Sequence, residues 1–163
     1  MKNFTLIGIL WIVSAITLNL SSCGNLIDYS PYDTDVKITN LNAENISKIE
    51  AAPQPEVSLL IVVISDTHAI HTKLQTAIRF INQMQGISFV VINGDITNWG
   101  LAKEYKDFHQ DITQLKIPFI TVIGNHDYLS NGGNIFKRMF GQVNFSFHAG
   151  NHKVVVFDNV VWE

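Results

Sequence analysis

Cysteine is almost absent from this chain: Cys23 is the only one among 163 residues. A single cysteine excludes a disulfide within the chain. Charged residues are also scarce, at 15%, and the formal net charge is −3. A mildly acidic chain lacks the basic surface that binds nucleic acid or anionic lipid. We therefore expect no nucleic-acid-binding patch, whereas an apolar content of 47% predicts a folded domain with a real core.

One long apolar run lies at the N-terminus, over residues 4–20, and Lys2 precedes it. This arrangement is typical of a secretory signal peptide, and the run falls just below the ~20 residues that span a bilayer. Ser22-Cys23 follows, which resembles the lipobox of bacterial lipoproteins. The resemblance implies a signal peptide over 1–22, a lipidated Cys23 and a membrane anchor in the bacterial cell envelope, on the periplasmic or surface side. An ordinary leader and a short membrane anchor are the alternatives.

The next segment, residues 23–56, is polar and contains Pro31, Pro53 and Pro55. Its composition predicts a tether, with a short ordered piece over 36–49. The folded domain is expected over 57–163.

Within that domain, strands and helices are predicted to alternate. Apolar runs at 57–64, 88–92 and 118–123 are typical of strands that are covered on both faces. Between them lie two amphipathic segments with helical spacing, whose apolar positions are Leu74, Ala77, Ile78, Ile81 and Met84, then Leu101, Tyr105, Phe108, Ile112 and Leu115. The order β-α-β-α-β predicts an α/β fold with a parallel sheet. A short helix over 135–140 and a hairpin of strands at 144–148 and 153–158 follow.

Each of the three apolar runs ends in a polar group of residues. The groups are Asp66-Thr67-His68, then Asn93-Gly94-Asp95, then Gly124-Asn125-His126-Asp127. Because neighbouring parallel strands end at the same edge of a sheet, the three groups are expected to share one crevice. Carboxylate, amide and imidazole ligands together suit a transition-metal ion, and two such ions would attract a phosphate ester.

These three groups, in this order and each after an apolar strand, resemble the signature of the calcineurin-like metallophosphoesterases. The resemblance implies an αββα sandwich and hydrolysis of a phosphomonoester or phosphodiester by a hydroxide held between two divalent ions of the Mn, Fe or Zn type. It implies that Asp66 and His68 bind the first ion, that Asp95 bridges both and that Asn125 binds the second. His126 would protonate the leaving oxygen rather than bind metal, and Asp127 would orient His126.

The resemblance extends from Leu59 to about Asp158, which corresponds to the first half of the family's catalytic domain. The family completes its metal sites with later histidines that this sequence does not contain. Two interpretations follow: a truncated piece of a membrane-tethered phosphoesterase, or an inactive remnant that binds metal weakly or serves as an interaction module. We expect the 163-residue chain to have little hydrolase activity. A flavodoxin-like nucleotide binder is a third alternative, although a Gly-rich loop does not follow the first strand.

Overall fold

The computed structural model describes residues 30, 33–53 and 58–160. The assigned signal peptide and Cys23 lie outside this range. The helices and strands in chain order are α1 (Leu41–Ala51), β1 (Ile61–Ile64), α2 (His71–Ile81), β2 (Phe89–Asn93), α3 (Ala102–Ile112), β3 (Phe119–Val122), a 3₁₀ turn (His126–Tyr128), α4 (Gly132–Met139), β4 (Phe145–Ala149) and β5 (His152–Val156). Among the described residues, none of the helices combines the length and apolar content needed to cross a bilayer.

The central sheet has the order β1-β2-β3, and both pairings are parallel. Val91 of β2 lies between Val63 of β1 and Ile120 of β3 in the register. The predicted β-α-β-α-β order and parallel sheet are thus confirmed. The first strand is shorter than its apolar run, because the ladder with β2 begins at Ile61.

One face of the sheet is covered by α2, α3 and α4. Their buried side chains form the larger core together with Val90 and Ile92 of β2. The predicted apolar face of α2 is confirmed at Leu74, Ile78 and Ile81, which are all buried. The helix ends at Ile81, so Met84, expected on the same face, lies beyond it and is 39% exposed.

The opposite face of the sheet packs against α1 and the antiparallel β4–β5 hairpin. Ile49 of α1, Phe89, Ile120 and Phe147 of β4 form a second buried cluster there. The rings of Phe89 and Phe147 meet edge to face with centroids 5.6 Å apart. A hairpin on one side of the sheet and helices on the other give the first layers of the expected αββα sandwich.

Helix α1 lies within the range assigned to the tether, and it packs against the domain. Asn42 donates from Nδ2 to the carbonyl of Thr121 (2.8 Å) and accepts from its N–H at Oδ1 (2.9 Å). The N–H of Phe119 donates to Oδ1 of Asn45 (3.1 Å). Side-chain amides therefore satisfy the outer edge of β3, as a further strand would. The sequence predicted a tether here because asparagine is polar. In the structure, however, these asparagines are buried and pair with backbone groups.

Candidate metal centre

The loop after β1 carries Asp66 and His68 in left-handed backbone conformations, with φ of 55° and 42°. Such angles cost of order 1–3 kcal/mol at each non-glycine residue, so other contacts must impose them. Three parallel hydrogen bonds do so: the N–H groups of Asp66, His68 and Ala69 donate to the carbonyls of Gly94, Asp95 and Ile96. The first polar group is therefore fixed directly to the second.

Asp95 lies at the centre of the site. Its Oδ1 accepts a hydrogen bond from the N–H of His126 (2.9 Å), while its Oδ2 lies 4.0 Å from Nε2 of His68. The residue has a left-handed φ of 51°. One carboxylate oxygen thus positions the third loop, and the other points to the histidine of the first loop.

A close backbone approach between the second and third loops requires glycine. A Cβ atom at Gly124 would lie 2.3 Å from Oδ1 of Asp95, and one at Gly94 would lie 2.8 Å from Cα of Gly124. Both distances are shorter than real contacts. The glycines of these groups therefore serve to bring the Asp95 carboxylate against the start of the His126 turn.

His126 opens the 3₁₀ turn after β3, and its ring meets that of His68 edge to face with centroids 4.7 Å apart. The Nδ1 atom of His126 lies 2.9 Å from the carbonyl oxygen of Asn98. Since a carbonyl only accepts hydrogen bonds, this contact requires the proton on Nδ1. Nε2 is then the ring nitrogen left for a cation or a substrate oxygen.

The side chain of Asp127 is fully buried and has different partners from those expected. Its carboxylate accepts from the N–H of Thr97 (3.0 Å), from the hydroxyl of Thr97 (2.9 Å) and from the N–H of Gly124 (3.0 Å). Burial raises the pKa of Asp127, and these hydrogen bonds oppose the rise. Asp127 therefore joins the second and third loops, whereas the ring of His126 is oriented by the Asn98 carbonyl.

Three of the sequence-predicted residues come together in one cluster. His68, Asp95 and His126 each offer a donor atom, and these atoms lie within 4.8 Å of one another. Oδ1 of Asp66 lies 3.7 Å from Nε2 of His68 on an exposed side chain. Asn125, directly before the turn, is also exposed. The cluster includes His126, which the sequence analysis assigned to proton transfer rather than to metal.

The residues present fit a divalent transition-metal ion. Two imidazoles and a carboxylate are the nitrogen and oxygen donors that such ions prefer. Oδ1 of Asp95 and Nδ1 of His126 already make hydrogen bonds. The atoms of metal ligands that do not bind the ion are usually hydrogen-bonded in this way. His68 and Asp95 would hold a first ion, with Asp66 at its open side and Nε2 of His126 close by.

Two contributors to the site were missed at the level of sequence. The Asn98 carbonyl carries no sequence signal, because any residue has one. Glu104, which accepts hydrogen bonds from the loop that contains Asn98, did have one. It stands three positions after Leu101, the spacing of the glutamate in a helix capping box.

Comparison with known proteins agrees with this geometry. Residues 59–161 match the family model described as calcineurin-like phosphoesterase. The probable glycerophosphodiester phosphodiesterase of Arcobacter nitrofigilis is 32% identical over 114 residues, which cover 62% of this chain and 40% of the relative. A probable cyclic nucleotide phosphodiesterase of Xenorhabdus bovienii is 35% identical over 54 residues, covering 33% of this chain and 22% of the relative.

A second probable cyclic nucleotide phosphodiesterase, from Rhodopseudomonas palustris, is 31% identical over 78 residues, which cover 40% of this chain and 28% of the relative. The chain thus spans two fifths or less of the length of these relatives. The family implies divalent metal ions as cofactors and phosphate esters as substrates. The match over residues 59–161 shows that the chain belongs to the calcineurin-like phosphoesterase family.

Proposed function

We propose that this chain supplies the first half of the active site of a metal-dependent phosphodiester hydrolase. The observation that carries the proposal is the convergence of His68, Asp95 and His126 at the carboxyl edge of a parallel sheet. Divalent ions bound there would supply positive charge that polarises a phosphoryl oxygen and lowers the pKa of a water molecule. We further propose two ions, which Asp66, Asp95 and Asn125 would help to hold.

The protein residues have separate tasks in this proposal. His68 and Asp95 bind and orient the cofactor, since their loops are joined by backbone hydrogen bonds. In this proposal His126 leaves the ion to His68, Asp95 and Asp66. Its Nδ1–H is directed to the Asn98 carbonyl, and in the imidazolium form Nε2 carries a second proton, which passes to the leaving oxygen. Asp127 holds the second and third loops together from a buried position and does not contact the substrate.

Phosphodiesters are the proposed substrate class. The three relatives are named as diesterases, one for glycerophosphodiesters and two for cyclic nucleotides. Asp66 and Asn125 are both exposed, so the described residues do not close this side of the site.

The experiment compares hydrolysis of bis-p-nitrophenyl phosphate and p-nitrophenyl phosphate by the chain with and without Mn²⁺. We expect slow, Mn²⁺-dependent turnover that is faster with the diester. Asp95→Asn should lower the rate by at least ~10–100-fold, since losing even an outer contact of a metal ligand costs that much. Asp107→Asn is the matched control, because Asp107 lies on α3 and pairs with Lys103.

Calorimetric titration with Mn²⁺ separates the two interpretations of this chain. Turnover together with binding would support the hydrolase. Binding that Asp95→Asn abolishes, without turnover of either ester, would support the inactive metal-binding remnant. If Mn²⁺ neither binds nor promotes turnover, the proposed centre is wrong.

A further inference from the structure

A single carboxylate holds the loop between the second polar group and α3. Oε1 of Glu104 accepts from the N–H of Asn98 (3.1 Å), and Oε2 accepts from the N–H of Trp99 (3.1 Å) and of Leu101 (3.0 Å). Three donors converge on the two oxygens of one side chain. Leu101, at the N-cap position of α3, has no polar side chain, so the glutamate alone supplies the capping.

The loop that Glu104 holds contacts both histidines of the cluster through Asn98. The Nδ2 atom of Asn98 donates to the carbonyl of His68 (3.1 Å), and the Asn98 carbonyl lies 2.9 Å from Nδ1 of His126. Its N–H is the group that donates to Glu104. Asn98 thus connects one carboxylate to two imidazole-bearing residues.

Both contacts matter because of where they act. His68 has a strained backbone with φ of 42°, so the hydrogen bond to its carbonyl helps to hold an unfavourable conformation. For His126, the contact selects the ring tautomer and its orientation. If the loop moved by an ångström, the His68 carbonyl and the His126 ring would lose this support together.

We propose that Glu104 is a positioning residue, which fixes the orientation of His68 and the tautomer of His126 through Asn98. A role of Glu104 in catalysis rests on the proposed function, whereas its hydrogen bonds to the loop of Asn98 do not. Both carboxylate oxygens are needed, because three N–H donors converge on them. A glutamine has the same shape but replaces one acceptor with an NH₂ group that faces a donor.

The test is the ring tautomer of His126 in the metal-free chain, observed through the ¹⁵N resonances of labelled histidine. The measurements are made at alkaline pH, where a neutral imidazole carries its one proton on either Nδ1 or Nε2. The wild-type ring should show a protonated Nδ1. In Glu104→Gln, the Nδ1 resonance should move toward the value of an unprotonated nitrogen, as the ring exchanges between both tautomers. His126→Gln identifies the resonance.

Glu44→Gln is the matched control, since Glu44 is an exposed glutamate in the first turn of α1. The control should leave the His126 resonances unchanged. If Glu104→Gln also leaves them unchanged, Glu104 does not position the ring and the inference is wrong. Should Glu104→Gln fail to fold, Glu104→Asp decides: it keeps the charge but withdraws it by one methylene, and unchanged His126 resonances in that variant would again refute the inference.

Mn²⁺ titration gives a second measurement that separates this inference from the proposed function. We expect the affinity of Glu104→Gln to fall about 10-fold, the lower end of the loss for outer contacts of metal ligands. If the tautomer changes in Glu104→Gln but the wild type does not bind Mn²⁺, the role of Glu104 is upheld and the metal centre is refuted. If the wild type binds Mn²⁺ and Glu104→Gln has the same affinity and the same tautomer, the metal centre is upheld and the role of Glu104 is refuted.

Discussion

The two edges of the central sheet differ sharply although their strands have similar sequences. One row across the sheet runs from Val63 in β1 through Val91 in β2 to Ile120 in β3. Val63 is 60% exposed, whereas Ile120 is 1% exposed. The three side chains are all β-branched and apolar, so intrinsic strand preference does not separate them. What differs is the structure that covers each edge.

The β3 edge is covered on its face and along its backbone. Ile49 and Phe147 pack near Ile120, and the amides of Asn42 and Asn45 pair with the strand. At the opposite edge, β2 is the only strand paired with β1 among the described residues. The stability of β3 therefore depends on a helix distant in sequence, whereas that of β1 depends on its parallel ladder with β2.

Shortening Ile120 should produce the largest effect. Ile120→Ala would leave a cavity among Ile49, Phe89 and Phe147, and we expect the free energy of unfolding to fall by about 2–5 kcal/mol. Urea denaturation followed by circular dichroism measures the change. The matched variant Val63→Ala should cost less than ~1 kcal/mol, because most of that side chain is already in water. Equal losses at the two edges would contradict the comparison.

Removing the amide that pairs with β3 should have the next largest effect. Asn42→Ala would leave the buried N–H and carbonyl of Thr121 without their partner, and an unsatisfied buried group costs about 1–3 kcal/mol. We expect a loss of about 2 kcal/mol, with faster hydrogen exchange at the Thr121 amide. Ser47→Ala is the control: the exposed hydroxyl bonds only to Ala43 of its own helix. A fast-exchanging Thr121 amide in the wild type would show that α1 does not cover this edge.

Much of the fold could be predicted because its signals are local. The apolar faces of α2 and α3 have helical spacing, and the strands β2 and β3 coincide with short apolar runs. The packing of α1 could not be predicted in this way, since Asn42 and Asn45 look like tether residues until the edge that they pair with is known. Gln75 illustrates the same limit. It stands three positions after Thr72, which is the spacing of a capping box, yet α2 begins at His71 and Gln75 donates to Asp111 instead.

The site follows the same division. Topology alone predicts that Asp66, Asp95 and Asn125 come to one edge of the sheet, because each follows a parallel strand. The partners of Asp127 depend on how the loops turn after those strands, and the sequence does not encode that turn in any single residue. The capping role of Glu104 lies between these cases: its spacing from Leu101 is readable, but its connection to His126 runs through a backbone carbonyl.

The smallest effect, and the one that defines the open edge, is expected from a polar substitution at Val63. Val63→Thr keeps the β-branched shape and places a hydroxyl in water, so the free energy of unfolding should change by less than ~0.5 kcal/mol. The same exchange one strand inward, Val91→Thr, places the hydroxyl on a half-buried side chain that packs against the second cluster. That variant should lose about 1–2 kcal/mol, since a hydroxyl removed from water without a partner costs of that order. The difference between the free energies of unfolding of the two variants, measured by urea denaturation, shows how much more buried β2 is than β1 at this row. If Val63→Thr destabilised the chain as much as Val91→Thr, the β1 edge would have to be covered in solution.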